Sequence, residues 1–120
     1  MAIIVTAVVV LSYPDAMLAR VIVDFESELW IWDARKGDTW TFVSLPVAES
    51  DVIRDLTDGT RRGFGSVRVK VTVGTSHWQT SIFPGGGGGA YVLPIKRAVR
   101  LAQHLEPGDV ATVSVEVLGL

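Results

Sequence analysis

Two segments of this chain alternate valine with polar residues so regularly that they restrict the fold to one built on β-strands. The first is SVRVKVTV, residues 66–73, and the second is VATVSVEV, residues 110–117. Successive side chains of a strand point to opposite faces, so each segment predicts one apolar row inward and one polar row outward. A third segment, RVIVDFESELWIW (residues 20–32), alternates in the same way and predicts a long half-buried strand. The predicted inward rows are Val67, Val69, Val71 and Val73; Ala111, Val113, Val115 and Val117; and Val21, Val23, Phe25, Leu29 and Ile31.

The remaining segments predict further strands and two helices. Residues 20–46 are typical of a β-hairpin with the turn DARKGD (33–38), and residues 76–83 and 90–94 of two shorter strands. A change to helical periodicity predicts helices over 47–58, ending before Gly59, and over 95–105. The predicted inward residues are Val52, Ile53 and Leu56 in the first helix and Ile95, Ala98, Val99, Ala102 and Leu105 in the second.

The order of these elements repeats within the chain. FVSLP, a helix, a glycine turn and the strand 66–73 are followed by AYVLP, a helix, a PGD turn and the strand 110–117. Leu45-Pro46 corresponds to Leu93-Pro94, and the two valine strands superpose. Alternating valines would match any strand, so the evidence for an internal repeat is mainly the shared order of a Leu-Pro dipeptide followed by a helix. A strand–helix–strand unit present twice predicts a mainly β fold, a β-barrel with two helices and an internal pseudo-two-fold repeat.

The composition excludes several classes of site. The chain has 120 residues, which fits one domain, and it has no cysteine, which excludes disulfides, thiol catalysis and thiolate metal sites. Two histidines are too few for a histidine-rich metal site, and no motif predicts a cofactor. The net charge of −2 argues against a protein whose whole surface binds nucleic acid, although a local basic patch is compatible with it.

The N-terminal run AIIVTAVVVL, residues 2–11, has two interpretations. It is too short for a membrane-spanning helix, which needs about 20 apolar residues. No Lys or Arg precedes it, which argues against a signal peptide. Residues 1–19 are therefore either an extra β-strand, which we favour, or an extension upstream of a native start at Met17. Residues 20–118 are predicted to form a single β-barrel domain.

Five consecutive glycines, residues 85–89, separate two predicted strands. Phosphate-binding loops use spaced glycines that lead into a helix, with a Lys or Ser/Thr placed on the phosphates. The segment PGGGGGAYVLP runs into a strand instead. We therefore expect a flexible turn at the point where the second half of the barrel begins.

Several phrases together resemble one known family, the domain-of-unknown-function family numbered 1905. They are ELWIW, WTFVSLP, RRGFGSVRVKVTVG, HWQTSIFP, YVLPIKRAVR and EPGDVATVSVEV, and they cover about residues 20–118. The resemblance implies a small double-split β-barrel related to the barrel of AbrB-like transcription factors. It implies no established activity. The chain departs from the family pattern in its N-terminal extension and its all-glycine loop.

The segment RRGFGSVRVK, residues 61–70, is the best candidate for a functional surface. Its glycines would allow a close backbone approach to a ligand, and its Arg and Lys side chains form a positive strip. The second helix is also basic, whereas acids dominate the first, and an ordinary solvated surface is the alternative interpretation. The candidate ligand-binding residues are Arg61, Arg62, Gly63, Phe64, Gly65, Ser66, Arg68, Trp78, Ser81, Tyr91, Lys96 and Arg100.

Three tryptophans and a His–Ser pair are the remaining candidates for a site. Trp30, Trp32 and Trp40 lie on neighbouring hairpin arms and are predicted to stack across strands, with core packing favoured over a ligand-binding cleft. His77 and Ser81 are four residues apart on a strand, about 13 Å, and cannot form a direct hydrogen bond. No catalytic residues are predicted.

Three functional hypotheses follow from the sequence. The favoured one is a non-enzymatic binding module with a basic, glycine-rich face for an anionic ligand or a protein partner. The second is a DNA-binding regulator of the AbrB-like type, with nucleic acid possible but not favoured as a partner, and the third is a small enzyme. We expect a cytoplasmic bacterial protein, monomeric or homodimeric, with no cofactor and no membrane association.

Overall fold

Alternating strands dominate the structure, as the sequence predicts. The computed structural model describes residues 5–11, 19–33, 39–58 and 65–119. The elements are β1 Val5–Leu11, β2 Ala19–Glu28, β3 Trp30–Asp33, β4 Thr39–Ser44, α1 Val47–Leu56, β5 Val67–Val73, β6 Ser76–Ile82, a 3₁₀ turn Gly87–Gly89, β7 Val92–Pro94, α2 Arg97–Gln103 and β8 Val110–Val117.

The strands form two antiparallel sheets whose pairings close a ring. One sheet has the order β1-β2-β8-β5-β6 and the other the order β3-β4-β7. Phe83 and Val92 exchange two backbone hydrogen bonds of 2.8 and 2.9 Å, which join β6 to β7. On the other side β2 continues into β3, with only Leu29 between them. Going round, the ring runs through β2–β3, β8, β5, β6, β7 and β4, and the described strands therefore form a barrel.

Leu29 is the point at which the first long strand passes from one sheet to the other. Its N–H donates to the carbonyl of Asp109 and its carbonyl accepts from the N–H of Gly108, which ends the pairing of β2 with β8. Beyond it, Trp30 faces Phe42 on β4. The predicted hairpin of residues 20–46 is thus formed by β3 and β4, and its turn at 34–38 lies outside the described residues.

Equivalent strands of the internal repeat pair with each other. Val71 of β5 faces Val115 of β8, and Ser44 of β4 faces Val92 of β7. Each of these pairs joins two positions that correspond in the repeat. A two-fold axis between antiparallel strands produces this arrangement. The same axis exchanges β2–β3 with β6, so the repeat extends over one more strand than the sequence comparison found.

The core consists of the inward rows of the strands. All four alternating valines of β5 and the whole predicted row of β8 are buried. On β2, Val21, Val23 and Phe25 are buried, and so is Leu29 after it. β1 pairs with β2 from Val5↔Phe25 to Leu11↔Ala19, as the strand interpretation of the N-terminal run predicts.

Some predicted inward positions are wrong. Ile31 is 46% exposed and lies on β3, the edge strand of the three-stranded sheet. On α1 only Ile53 of the three predicted residues is buried, while Val52 and Leu56 are exposed. On α2, Ala98 and Ala102 are exposed as well.

The helices contact the core through narrower stripes than predicted. α1 buries Ser50, Ile53 and Thr57, and the hydroxyl of Ser50 accepts a hydrogen bond from the N–H of Tyr91 at 3.0 Å. Thr57 Oγ1 donates to the carbonyl of Ile53 at 2.7 Å. Two small polar residues that the hydrophobic pattern assigns to the surface are therefore buried.

The glycine run forms a turn that is fixed by hydrogen bonds. Gly86 N–H donates to Ala90 O at 3.0 Å, and Arg54 of α1 donates to the carbonyl of Gly89. Gly85, Gly88 and Gly89 have φ values of 122°, 69° and 90°, a region that L-residues with side chains rarely adopt. A turn is present as expected, but it has a defined hydrogen-bonded conformation where the sequence predicts a flexible one, and its φ values supply a reason for glycine at these positions.

This conformation predicts different effects for the same substitution at adjacent positions. Gly88→Ala is expected to lower the free energy of unfolding by about 1 kcal/mol, the cost of a left-handed φ for a residue with a Cβ. Its Cβ would also lie 3.3 Å from Val47 Cγ2. Gly87 does not have a positive φ and an added Cβ would meet nothing within 4 Å, so Gly87→Ala serves as the matched control and is expected to be neutral or slightly stabilising. Urea unfolding measures both, and equal midpoints would contradict the described turn.

Two fully buried serines allow a second comparison. Ser50 Oγ satisfies a buried backbone N–H, whereas Ser27 Oγ has no hydrogen-bond partner among the described residues. Ser50→Ala is expected to destabilise the protein by about 1–3 kcal/mol because it leaves the N–H of Tyr91 unpaired. Ser27→Ala is expected to be neutral or stabilising because it removes a hydroxyl that is buried without compensation. Thermal or urea unfolding of both variants tests the pair, and a larger loss for the Ser27 variant would show the assignment to be wrong.

Candidate functional site

The predicted ligand-binding residues fall into separate parts of the structure. Arg61, Arg62, Gly63 and Phe64 lie outside the described residues. Gly65 and Ser66 immediately precede β5, with Gly65 at a φ of 84° beside Pro84. The others divide between the outer face of β5–β6, the interior beneath α1, and the surface around α2.

Arg68 and Ser81 lie together on the outer face of β5–β6. They face each other across the two strands, and Arg68 Nη1 is 3.4 Å from Ser81 Oγ. The neighbouring Val67 and Val69 are buried, so strand alternation directs Arg68 away from the core. Trp78 faces the buried Val71 and therefore belongs to the opposite face of the same sheet. The structure thus does not join Arg68 to the α2 residues as one strip.

Tyr91 is a core residue. Only 1% of it is exposed, its N–H is bound by Ser50, and the guanidinium of Arg54 lies 5.1 Å from the centre of its ring. Arg54 also forms an ion pair with Asp51 at 2.8 Å. These contacts fix α1 and the glycine turn to the barrel, so Tyr91 is a packing residue in this structure.

The surface around α2 contains a cleft, which we call the α2 cleft. Its volume is about 210 Å³, and it is lined by Trp40, Thr41, Pro94, Ile95, Lys96, Arg97 and Arg100. The N–H of Ile95 donates to the carbonyl of Thr41 at 2.8 Å, which continues the pairing of β4 with β7 beyond Pro94. Continuing the register by one more residue places Lys96 opposite Trp40. The backbone pairing therefore sets an exposed indole beside the first cation of the cleft.

Three cations border this cleft, and none of them has an acidic partner in the described part of the chain. Lys96 Nζ lies 5.8 Å from the ring centre of Trp78, a cation–π contact, and Arg100 Nε donates to the carbonyl of Ile95 at 3.1 Å. Among the described residues, no ion pair joins Lys96, Arg97 or Arg100 to an Asp or Glu. Neighbouring like charges repel each other, and a bound anion relieves that repulsion. The α2 cleft is chemically suited to an anionic group.

A second cleft lies on the other side of Arg100. It has a volume of about 300 Å³ and is lined by Arg100, Leu101, His104, Leu105 and Glu106. His104 adopts a left-handed conformation with a φ of 55° and ends α2. Glu106 makes this cleft mixed in charge, so it is less suited to an anion than the α2 cleft.

The outer side of the three-stranded sheet carries a continuous aromatic face, made of Trp30, Trp32, Trp40 and Phe42. Trp32 faces Trp40 across the strands, and Trp30 faces Phe42. Ring centres are 5.1 Å apart for Trp30 and Phe42 and 6.4 Å apart for Trp40 and Phe42. Stacking across the hairpin occurs between Trp30 and Phe42 rather than among the predicted tryptophans, and Trp40 stacks on Phe42 along the same strand. The core-packing interpretation is wrong for two of these rings. Trp32 is 56% and Trp40 is 54% exposed, because they lie on the outer side of the sheet, towards the end of the hairpin.

Several cleft residues were absent from the predicted site. Trp40, Thr41 and Pro94 come from β4 and β7, and the sequence alone does not connect either strand with α2. It places Arg97 on a basic helix face but not in the predicted site. The repeated Leu-Pro segments are the signal that could have identified these residues. Equivalent strands of a two-fold repeat can pair with each other, and this pairing brings β4 and β7 together beside α2.

No set of catalytic groups stands out among the described residues. His77 Nδ1 is 3.0 Å from Thr72 Oγ1, and the nearest described partner of Ser81 is Arg68. Groups of three or more His, Asp or Glu that could hold a metal ion do not occur in the described part of the chain. None of the helices within the described ranges is long and apolar enough to span a membrane.

Comparison with known proteins adds one finding. None of the curated proteins matches the chain. A family model described as "Domain of unknown function (DUF1905)" matches residues 25–115. The matched region begins within β2 and ends within β8, and it includes both halves of the barrel and the α2 cleft. The family that the sequence resembles is confirmed, and the chain belongs to the DUF1905 family.

Proposed function

We propose that this protein is a non-enzymatic binding module that holds an anionic ligand in the α2 cleft. The observation that carries the proposal is the grouping of Lys96, Arg97 and Arg100 around one concave surface without acidic partners among the described residues. Binding sites are typically concave surfaces with an apolar lining and a few converging polar groups. Trp40, Pro94 and Ile95 supply the apolar part here.

The location of the cleft supports a binding role rather than a structural one. Lys96 and Arg97 are exposed and Arg100 is partly exposed, so an incoming anion reaches them without rearrangement of the fold. The backbone that presents them is held by the hydrogen bonds of Ile95 to Thr41 and of Arg100 to Ile95. A rigid support of this kind lowers the entropic cost of binding.

The alternative of a duplex-DNA regulator has less support. Regulators of that type present paired basic elements related by symmetry. The two helices exchanged by the pseudo-two-fold axis carry opposite charges here. α1 carries Glu49, Asp51 and Asp55 with only Arg54, whereas α2 carries Arg97 and Arg100 and no acid. A third proposal, a small enzyme, rests on no described cluster of catalytic groups.

Two variants that each remove one arginine charge, Arg97→Ser in the cleft and Arg68→Ser outside it, test the binding proposal. Sodium tripolyphosphate is titrated into the ¹⁵N-labelled protein at low salt, and amide shifts are followed by NMR. We expect the largest shifts at Lys96–Arg100 and at the Trp40 indole, with about threefold weaker binding for Arg97→Ser, the effect of one exposed charge contact.

The matched control is Arg68→Ser, another exposed arginine at the outer face of β5. It is expected to leave tripolyphosphate affinity unchanged. If the Arg68 variant weakens binding as much as the Arg97 variant, or if the shifts centre on Arg68 and Ser81, the anion site is not the α2 cleft.

A further inference from the structure

The aromatic face and the α2 cleft are parts of one surface. Register places Trp32 and Trp40 in one row across β3 and β4, with Trp30, Phe42 and Pro94 in the adjacent row. Trp40 also lines the α2 cleft together with Lys96, Arg97 and Arg100, so the cations adjoin the aromatic face at this indole. Soluble proteins rarely leave two adjacent tryptophan rings more than half exposed unless the surface contacts something.

We propose that this surface binds single-stranded nucleic acid, with bases stacked on Trp40 and Trp32 and phosphates at Lys96, Arg97 and Arg100. The inference rests on the proposed anion binding at the α2 cleft and assigns the class of ligand. Single-strand-binding surfaces of other folds combine the same two elements, aromatic rings that stack bases and a positive flank that follows the backbone.

The spacing of the face fits a row of bases. Neighbouring strands are about 4.8 Å apart, and same-face residues along a strand are about 6.7 Å apart. The exposed rings are therefore far enough apart for each to stack with a different base. A base must expose its flat side to stack on an indole. In a duplex both sides are covered by neighbouring pairs, so the surface selects unpaired strands.

Charge distinguishes this ligand from the other occupants of an aromatic surface. A neutral oligosaccharide would stack on the indoles but would not neutralise the charge of the three cations. A protein segment would need acids placed opposite Lys96 and Arg97. A nucleic acid strand supplies one phosphate with every base, so it satisfies both halves of the surface at once.

The acidic surface of α1 disfavours binding of a polyanion at that helix. α1, at the position related by the pseudo-two-fold axis, exposes Asp51 and Asp55, which repel a polyanion. The net charge of −2 is therefore compatible with a local site for nucleic acid. Binding is expected to weaken with salt, with a slope of about −0.7 in log–log form for each phosphate contact.

Fluorescence anisotropy with labelled oligouridine and oligothymidine of about eight nucleotides tests the inference, since single-strand sites of related chemistry cover about 4–16 nucleotides. Trp40→Ala is expected to weaken binding about tenfold, the loss of one stacked base. Trp40→Phe keeps a ring and is expected to retain most of the affinity. Ile31→Ala is the matched control, because Ile31 lies on the same hairpin with similar exposure but points to the opposite side of the sheet from Trp32.

Circular dichroism and thermal melting establish that each variant is folded, and the tripolyphosphate titration is repeated on the same samples. Tripolyphosphate binding together with Trp40-dependent oligonucleotide binding supports the inference. Tripolyphosphate binding without tighter binding of either oligonucleotide overturns it and leaves the anion proposal standing. Failure of both ligands overturns both proposals.

Two further outcomes would overturn the stacking inference specifically. One is equal affinity for a duplex of the same length, which would indicate backbone contacts alone. The other is Trp40-dependent binding of a neutral oligosaccharide with no binding of the oligonucleotides. Comparison of oligouridine with oligothymidine then shows whether the single strand is RNA or DNA.

Discussion

Antiparallel pairing between corresponding strands is the interaction on which the rest of this structure depends. Val71 faces Val115 on one side of the barrel, and Ser44 faces Val92 on the other. These contacts join the two halves, and the Phe83–Val92 bridge and the passage at Leu29 then close the ring. Each half alone would leave the valine row of β5 or β8 open to water. The hydrophobic effect therefore favours the assembly of both halves in one barrel.

The strands were predictable from sequence because their signal is local. A period of two with one apolar row describes β5 and β8 completely, and it describes β2 up to Leu29. The helices were less predictable. In α1 and directly after it, Ser50 and Thr57 are buried although a hydrophobic pattern assigns them to the surface, because their hydroxyls are satisfied by nearby backbone groups. The failures at Ile31, Val52 and Ala98 share one cause, since the sequence does not show where the covering layer ends.

The candidate site was only partly predictable for a different reason. Lys96, Arg100 and Trp78 were identified from charge and residue type, and the structure brings Lys96 against Trp78. Trp40 belongs to the same surface through register, which is a non-local property. Tyr91 shows the converse, because an aromatic residue beside a glycine loop resembles a ligand contact in sequence and is enclosed under α1 in the structure. The sequence alone shows that α1 is acidic and α2 is basic. The pseudo-two-fold relation adds that these opposite charges lie at equivalent positions of the barrel.

The glycine turn has a consequence for how many ligands one molecule can hold. The axis that exchanges the halves relates the β6–β7 connection to the β3–β4 hairpin, so the glycine turn stands where a second aromatic hairpin would stand. It is folded back against α1 by Arg54, and none of its residues carries a ring. A symmetric barrel would be bivalent and could bridge two strands or two partners. Under the proposed binding role, the described part of this barrel presents the aromatic surface on one half only, and the corresponding position on the other half holds α1 and the glycine turn together.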